Sequence, residues 1–223
     1  MKREIAEGVL LGLLFSIAVS IWSDQRIHLE NAGELEQALS MQAYEEVRAY
    51  YEELGYAIPE DAVPSVLFED RISLDGRKVP DALGLFDPDP MSIHLVHFES
   101  DKFQERGFLG APPSVELYYS IIVHEFAHYV NALVSPGLLP PADEFIASTV
   151  QLELMDPDTR RNVLASTEIK KFSSCRDIIL SAYWFAPDNF ILACYCYSSE
   201  HPGMLMRFLE QTNPKIKDPL FID

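Results

Sequence analysis

Apolar positions along the chain recur with two different periods, and each period marks a kind of element. Between residues 31 and 54, Leu35, Leu39, Ala43, Val47 and Tyr50-Tyr51 return at three- and four-residue steps with Glu and Gln between them, which predicts an amphipathic helix. Gly55 and Pro59 end it. Short strand-like runs follow at residues 65–68, 82–86 and 92–98. The last two flank Asp87-Pro88-Asp89-Pro90, a turn by composition, so they predict a hairpin. A polar stretch from Glu99 to Gly107 leads to Ser114, which is placed to cap a long apolar helix ending at Val134, with Glu116 in its first turn. Pro136-Gly137 and Pro140-Pro141 break the chain before another helix, from Ala142 to Leu154, which Asp156-Pro157 stops. Residues 174–185, 187–197 and 202–211 read as a mostly helical, apolar C-terminal third. Helices dominate, with a small strand region ahead of the long central helix. The pattern predicts an α+β fold.

Residues 1–23 follow neither period. Lys2-Arg3 precede a nearly unbroken apolar run from Val9 to Trp22, and Ser23-Asp24-Gln25-Arg26 close it. Its fourteen residues rise about 21 Å as a helix, short of the roughly 30 Å of a bilayer's hydrocarbon core. Ala18-Val19-Ser20 offers small residues at the spacing of a signal-peptidase site. Residues 1–23 are therefore expected to be a signal peptide or an N-terminal membrane anchor, with residues 24–223 forming one domain. The expected location is periplasmic, secreted, or anchored to a membrane through residues 9–22, and membrane contact is confined to that segment.

Composition narrows the partners. Apolar residues make up 48% and charged residues 23%, enough to build a core and unlike a disordered chain. Thirty-five acidic residues against 17 basic ones give a net charge of −18, which repels phosphate backbones and disfavours anionic membrane surfaces. Nucleic acid is excluded as a partner on that ground. Cys175, Cys194 and Cys196 are an odd set, so at most one intramolecular disulfide can form. A bridge from Cys175, or a second metal site made with His201, is conceivable. Their apolar surroundings favour buried, inert thiols.

The chemistry lies in the central helix, where His124-Glu125-Phe126-Ala127-His128 spells H-E-x-x-H. Histidines four apart leave a helix on one face and can reach a single ion, while Glu125, about 100° around, can face a metal-bound water. A catalytic zinc needs one more protein donor. Glu144 stands near the start of the returning helix, whose Ala147 and Ser148 are small enough for close approach. Glu153 is the competitor, but nine residues on it points about 180° away. Asp143 suits a cap or a partner for an imidazole N–H. His94 and His97, three apart on a strand, face opposite sides and cannot share an ion; His28 reads as a surface residue.

His124-Glu125-Phe126-Ala127-His128 followed by Asp143-Glu144-Phe145-Ile146-Ala147 resembles the gluzincin metallopeptidases, and the short spacing is most similar to their minimal members, the minigluzincins. The likeness covers residues 65 to 155. It implies a zincin-like fold, Zn2+ held by His124, His128 and Glu144, a peptide or protein substrate, and an edge strand lining the cleft, for which residues 92–98 are the expected segment. The implied reaction is peptide-bond hydrolysis by a metal-activated water with Glu125 as general base. An oxyanion donor is also required. Tyr183, Tyr195, Tyr197 and His201 are the downstream candidates, with Tyr195 or His201 preferred. The competing expectation is a catalytically silent zincin-like binding or scaffold module.

Overall fold

A computed structural model describes residues 26–74 and 76–210, and the leader-like segment 1–23 lies outside them. No helix among the described residues is long and apolar enough to cross a membrane. The chain forms β1 (His28–Glu30), α1 (Glu34–Glu53), β2 (Ser65–Glu69), β3 (Ser73–Leu74), β4 (Arg77–Lys78), β5 (Gly84–Asp87), β6 (Ser92–Val96) and α2 (Asp101–Arg106). It continues with α3 (Val115–Val134), α4 (Pro140–Glu153), α5 (Pro157–Ser166), a 3-10 turn (Cys175–Asp177), α6 (Leu180–Phe185), α7 (Pro187–Glu200) and α8 (Met204–Glu210). The class is α+β, mostly helical, with a small mixed sheet ahead of the central helix.

Four strands make the main sheet in the order β1-β2-β6-β5. β1, β2 and β6 run parallel, whereas β5 returns antiparallel to β6 with Gly84 opposite Leu95 and Phe86 opposite Ile93. The expected hairpin therefore forms, turned by Asp87, whose Oδ1 accepts from the Asp89 N–H at 3.0 Å. It also corrects the expected edge: residues 92–96 are an inner strand, and among the described residues Gly84–Asp87 and His28–Glu30 are the two edge strands. Pairing explains this: β6 is hydrogen-bonded to β2 on one side and to β5 on the other, and its Ile93 and Leu95 lie fully buried beside Val66 and Phe68 of β2.

α3 begins where Ser114 predicts it, with the serine hydroxyl accepting from the Leu117 N–H at 3.2 Å. It is apolar almost all round because it lies between α1 and α4 and against β5 and β6. Tyr44 and Val47 of α1 are buried, and the Tyr44 ring lies 5.3 Å from that of Phe126 in α3. α4 starts two residues earlier than expected, with Pro140 at its first position, where a missing N–H costs nothing. Asp156 does more than stop α4, since its carboxylate caps α5 through the N–H groups of Asp158 and Thr159. In the mostly helical C-terminal third, residues 174–185 hold a 3-10 turn followed by the short α6. The three cysteines are free thiols, Cys194 buried and the other two half-buried.

Candidate metal centre

His124 and His128 leave α3 one turn apart and both are buried. Their Nε2 atoms stand 3.0 Å from each other. The opposite nitrogens are engaged: His124 Nδ1 lies 3.0 Å from Gln151 Oε1, and His128 Nδ1 lies 2.9 Å from Asp143 Oδ2. Gln151 is itself oriented, because its Nε2 donates to Ser120 Oγ at 3.1 Å while that hydroxyl donates to the Leu117 carbonyl at 2.8 Å. Amide and carboxylate oxygens only accept, so each Nδ1 carries a hydrogen and each Nε2 is the nitrogen turned inward.

Glu144 completes the group. Its Oε2 is 3.5 Å from His124 Nε2 and 3.7 Å from His128 Nε2, and it is buried without a hydrogen-bond partner. Two ring nitrogens and a carboxylate oxygen facing one another suit a shared positive charge, a proton on an imidazole or a metal ion among them. From the three separations of 3.0, 3.5 and 3.7 Å, a point equidistant from the donors lies about 2 Å from each, the length of zinc–nitrogen and zinc–oxygen bonds. The donors therefore fit a metal ion, and among the described residues no other group of three or more His, Cys, Asp or Glu is placed to hold one. Glu153, the competing ligand, is exposed.

Charges within the cluster hold one another. Burial works against the Glu144 carboxylate, yet His128 and His124 outweigh it and bring its pKa down to about 2. Burial also opposes a charge on His128, but Asp143 and Glu144 hold its pKa well above the usual imidazole value. Glu125 behaves differently. Burial raises its carboxyl pKa, opposed by His124 and His128 and reinforced by Glu144 and Asp143.

The carboxylate of Glu125 lies against the edge strand. A Cβ on Gly84 would stand 2.5 Å from Glu125 Oε1 and 2.7 Å from its Cγ, so the close approach requires glycine at that position. Two hollows of about 390 and 460 Å³ meet there, and Gly84, Leu85, His124, Glu125, Glu144 and Tyr183 line both. One continues past Phe86 and Leu138, the other past Phe108, Ile121 and Trp184. Burial, with Glu144 and Glu125 adding to it, pushes the Tyr183 phenol well above its ordinary pKa, so its hydroxyl keeps its hydrogen.

Neither preferred oxyanion candidate reaches the cleft. Tyr195 packs in a separate apolar cluster with the Arg160 guanidinium 5.4 Å over its ring, and His201 is stacked on Tyr197 at 4.1 Å between centroids. The reason is the direction of α7. Its first turn, Pro187 and Asp188, lines a hollow, and its 14 residues carry His201 about 20 Å away. Tyr183 instead belongs to α6, which precedes that helix. His94 lies 3.1 Å from Glu69, and His97 lies 3.1 Å from Glu36, in separate pairs as their spacing requires. His28 is exposed, 3.1 Å from Glu30.

Sequence reasoning missed Gln151, Ser120, Asn131, Tyr51 and Gly84. Three of these had a signal: Ser120 is four residues before His124, Asn131 three after His128, and Gln151 seven after Glu144, each on the face of its helix that carries a donor. Tyr51 and Gly84 had none, since both act across elements.

Residues 65–211 match the model of a family described as Family of unknown function (DUF6639), and the chain belongs to that family. The matched stretch spans β2 to α8 and holds Glu125 and the three donors; β1 and α1 precede it. No curated protein and no solved structure matches the chain.

Proposed function

We propose that this protein is a zinc-dependent peptidase. The observation that carries the reading is the convergence of His124, His128 and Glu144 beside the Glu125 carboxylate in a cleft bordered by a free strand edge. A divalent ion held by those three residues supplies Lewis acidity, making a water acidic near neutral pH and polarising a carbonyl. The rest is the work of the chain. The free edge of β5 offers its backbone to an extended peptide. Glu125 takes the proton of the attacking water on its carboxylate and hands it to the leaving amine; its raised pKa suits both steps. Tyr183, still protonated, donates its O–H toward the oxygen on which charge develops, the role expected of Tyr195 or His201 from the sequence. The likeness to minigluzincins supports peptides as the substrate class, and the apolar residues 9–22 support action outside the cytoplasm or at a membrane.

Zinc analysis of purified protein and hydrolysis of a broad peptide library test this together. Stoichiometric zinc and cleavage are expected, with Glu125→Gln keeping the zinc and lowering cleavage by at least about 100-fold. Wild type without zinc overturns the reading. Wild type that holds zinc and cleaves nothing in the library overturns the peptidase and leaves a zinc-binding module.

A further inference from the structure

Asp143 is gripped at both oxygens. Oδ2 accepts from His128 Nδ1–H at 2.9 Å, and Oδ1 accepts from Asn131 Nδ2 at 2.7 Å. Asn131 Oδ1 in turn accepts from the Tyr51 hydroxyl at 2.5 Å. Tyr51 and Asn131 are both buried, so no bulk water competes for these bonds. Burial, then the charge of Asp143, keeps the Tyr51 phenol protonated. A protonated phenol facing an amide oxygen donates, and that bond and the Asp143 carboxylate favour the same orientation of Asn131. With the hydroxyl present, the nitrogen and its hydrogens face the carboxylate. Without it, Asn131 Oδ1 is left buried without its donor, and the amide that braces Asp143, and through it His128, is held from one side only.

We propose that Tyr51 is a positioning residue for the metal centre, acting through Asn131 and Asp143 to hold the His128 ring with its Nε2 toward the ion. The inference rests on the zinc reading above. It makes α1, which lies ahead of the stretch that defines the family, part of the centre's construction.

Tyr44 supplies the comparison. It sits on the same helix, is as buried, and donates its hydroxyl to the Ala62 carbonyl at 2.6 Å, with no bond leading to the centre. Zinc affinity of the full chain, read by competition with a chromophoric chelator, and the visible spectrum of the Co2+-loaded protein are measured for wild type, Tyr51→Phe and Tyr44→Phe, together with Tm. Tyr51→Phe is expected to weaken zinc by about 3- to 10-fold, less than the loss of a direct imidazole partner, and to change the cobalt spectrum. Tyr44→Phe is expected to lower Tm and leave both readouts unchanged. In an Asn131→Leu background, Tyr51→Phe is expected to cost no further affinity, because the relay is already broken. Affinity and cobalt spectrum alike for Tyr51→Phe and Tyr44→Phe overturn this inference and leave the zinc reading standing. Wild type that takes up no stoichiometric zinc overturns both.

Discussion

His124 and His128 are one turn apart in one helix and identical in the motif, yet the fold supports them differently. His128 gives its Nδ1–H to a carboxylate, Asp143, and the bonds continue through Asn131 to Tyr51 of α1. His124 gives its Nδ1–H to a neutral amide, Gln151, and the bonds close within α3 and α4 through Ser120. An anionic acceptor both orients an imidazole and raises its basicity, whereas a neutral one mainly orients it. The pair teaches that equal spacing along a helix does not make equal ligands. Their partners, drawn from other elements, decide how each behaves.

Removing a donor erases the comparison altogether. His124→Ala or Glu144→Ala should cost on the order of a thousandfold or more in zinc affinity, since a three-donor site then keeps only two; metal content after dialysis checks it. Next in size, Glu125→Gln should leave zinc bound through both imidazoles and lower turnover by about 10²- to 10⁴-fold. Steady-state rates on any cleaved peptide, with zinc content measured in parallel, test that separation. The comparison itself is sharpened by Asp143→Ala against Gln151→Leu. Each outer partner should cost zinc affinity, Asp143 about 100-fold and Gln151 about 10-fold; equal losses in chelator competition would show that the charge on Asp143 contributes nothing. Smallest is Gly84→Ala, whose methyl displaces the end of the Glu125 side chain. It should lower kcat roughly 10-fold by misplacing the base, with zinc affinity unchanged because neither imidazole support is touched.

The parts of the centre legible in the sequence are those fixed within a helix. The i, i+4 spacing put both imidazoles on one face, Ser114 marked the start of α3, and the half-turn between Glu144 and Glu153 left only the first able to point inward, as the structure has it. Asp143 was legible only as a cap or an imidazole partner, because its pairing with His128 crosses from α4 to α3. The preference for Tyr195 and His201 had no such geometry behind it. Their distance from the cleft depends on which way α7 leaves α6, and the chain's local pattern carries no information about that direction.

By itself the sequence determined the class, the long central helix, the hairpin ahead of it and the residues able to hold an ion, because helical and strand periods are set by neighbours a few positions apart. Tertiary structure alone decided that Gly84–Asp87 rather than residues 92–98 is the edge strand at the cleft, that Tyr183 is a phenol lining the cleft, and that Tyr51 stands behind His128. Those facts depend on pairings between elements far apart in the chain, Tyr51 and Asn131 being 80 residues apart. Burying the apolar faces of α1, α3 and α4 against one another settles such pairings, and no local pattern encodes them.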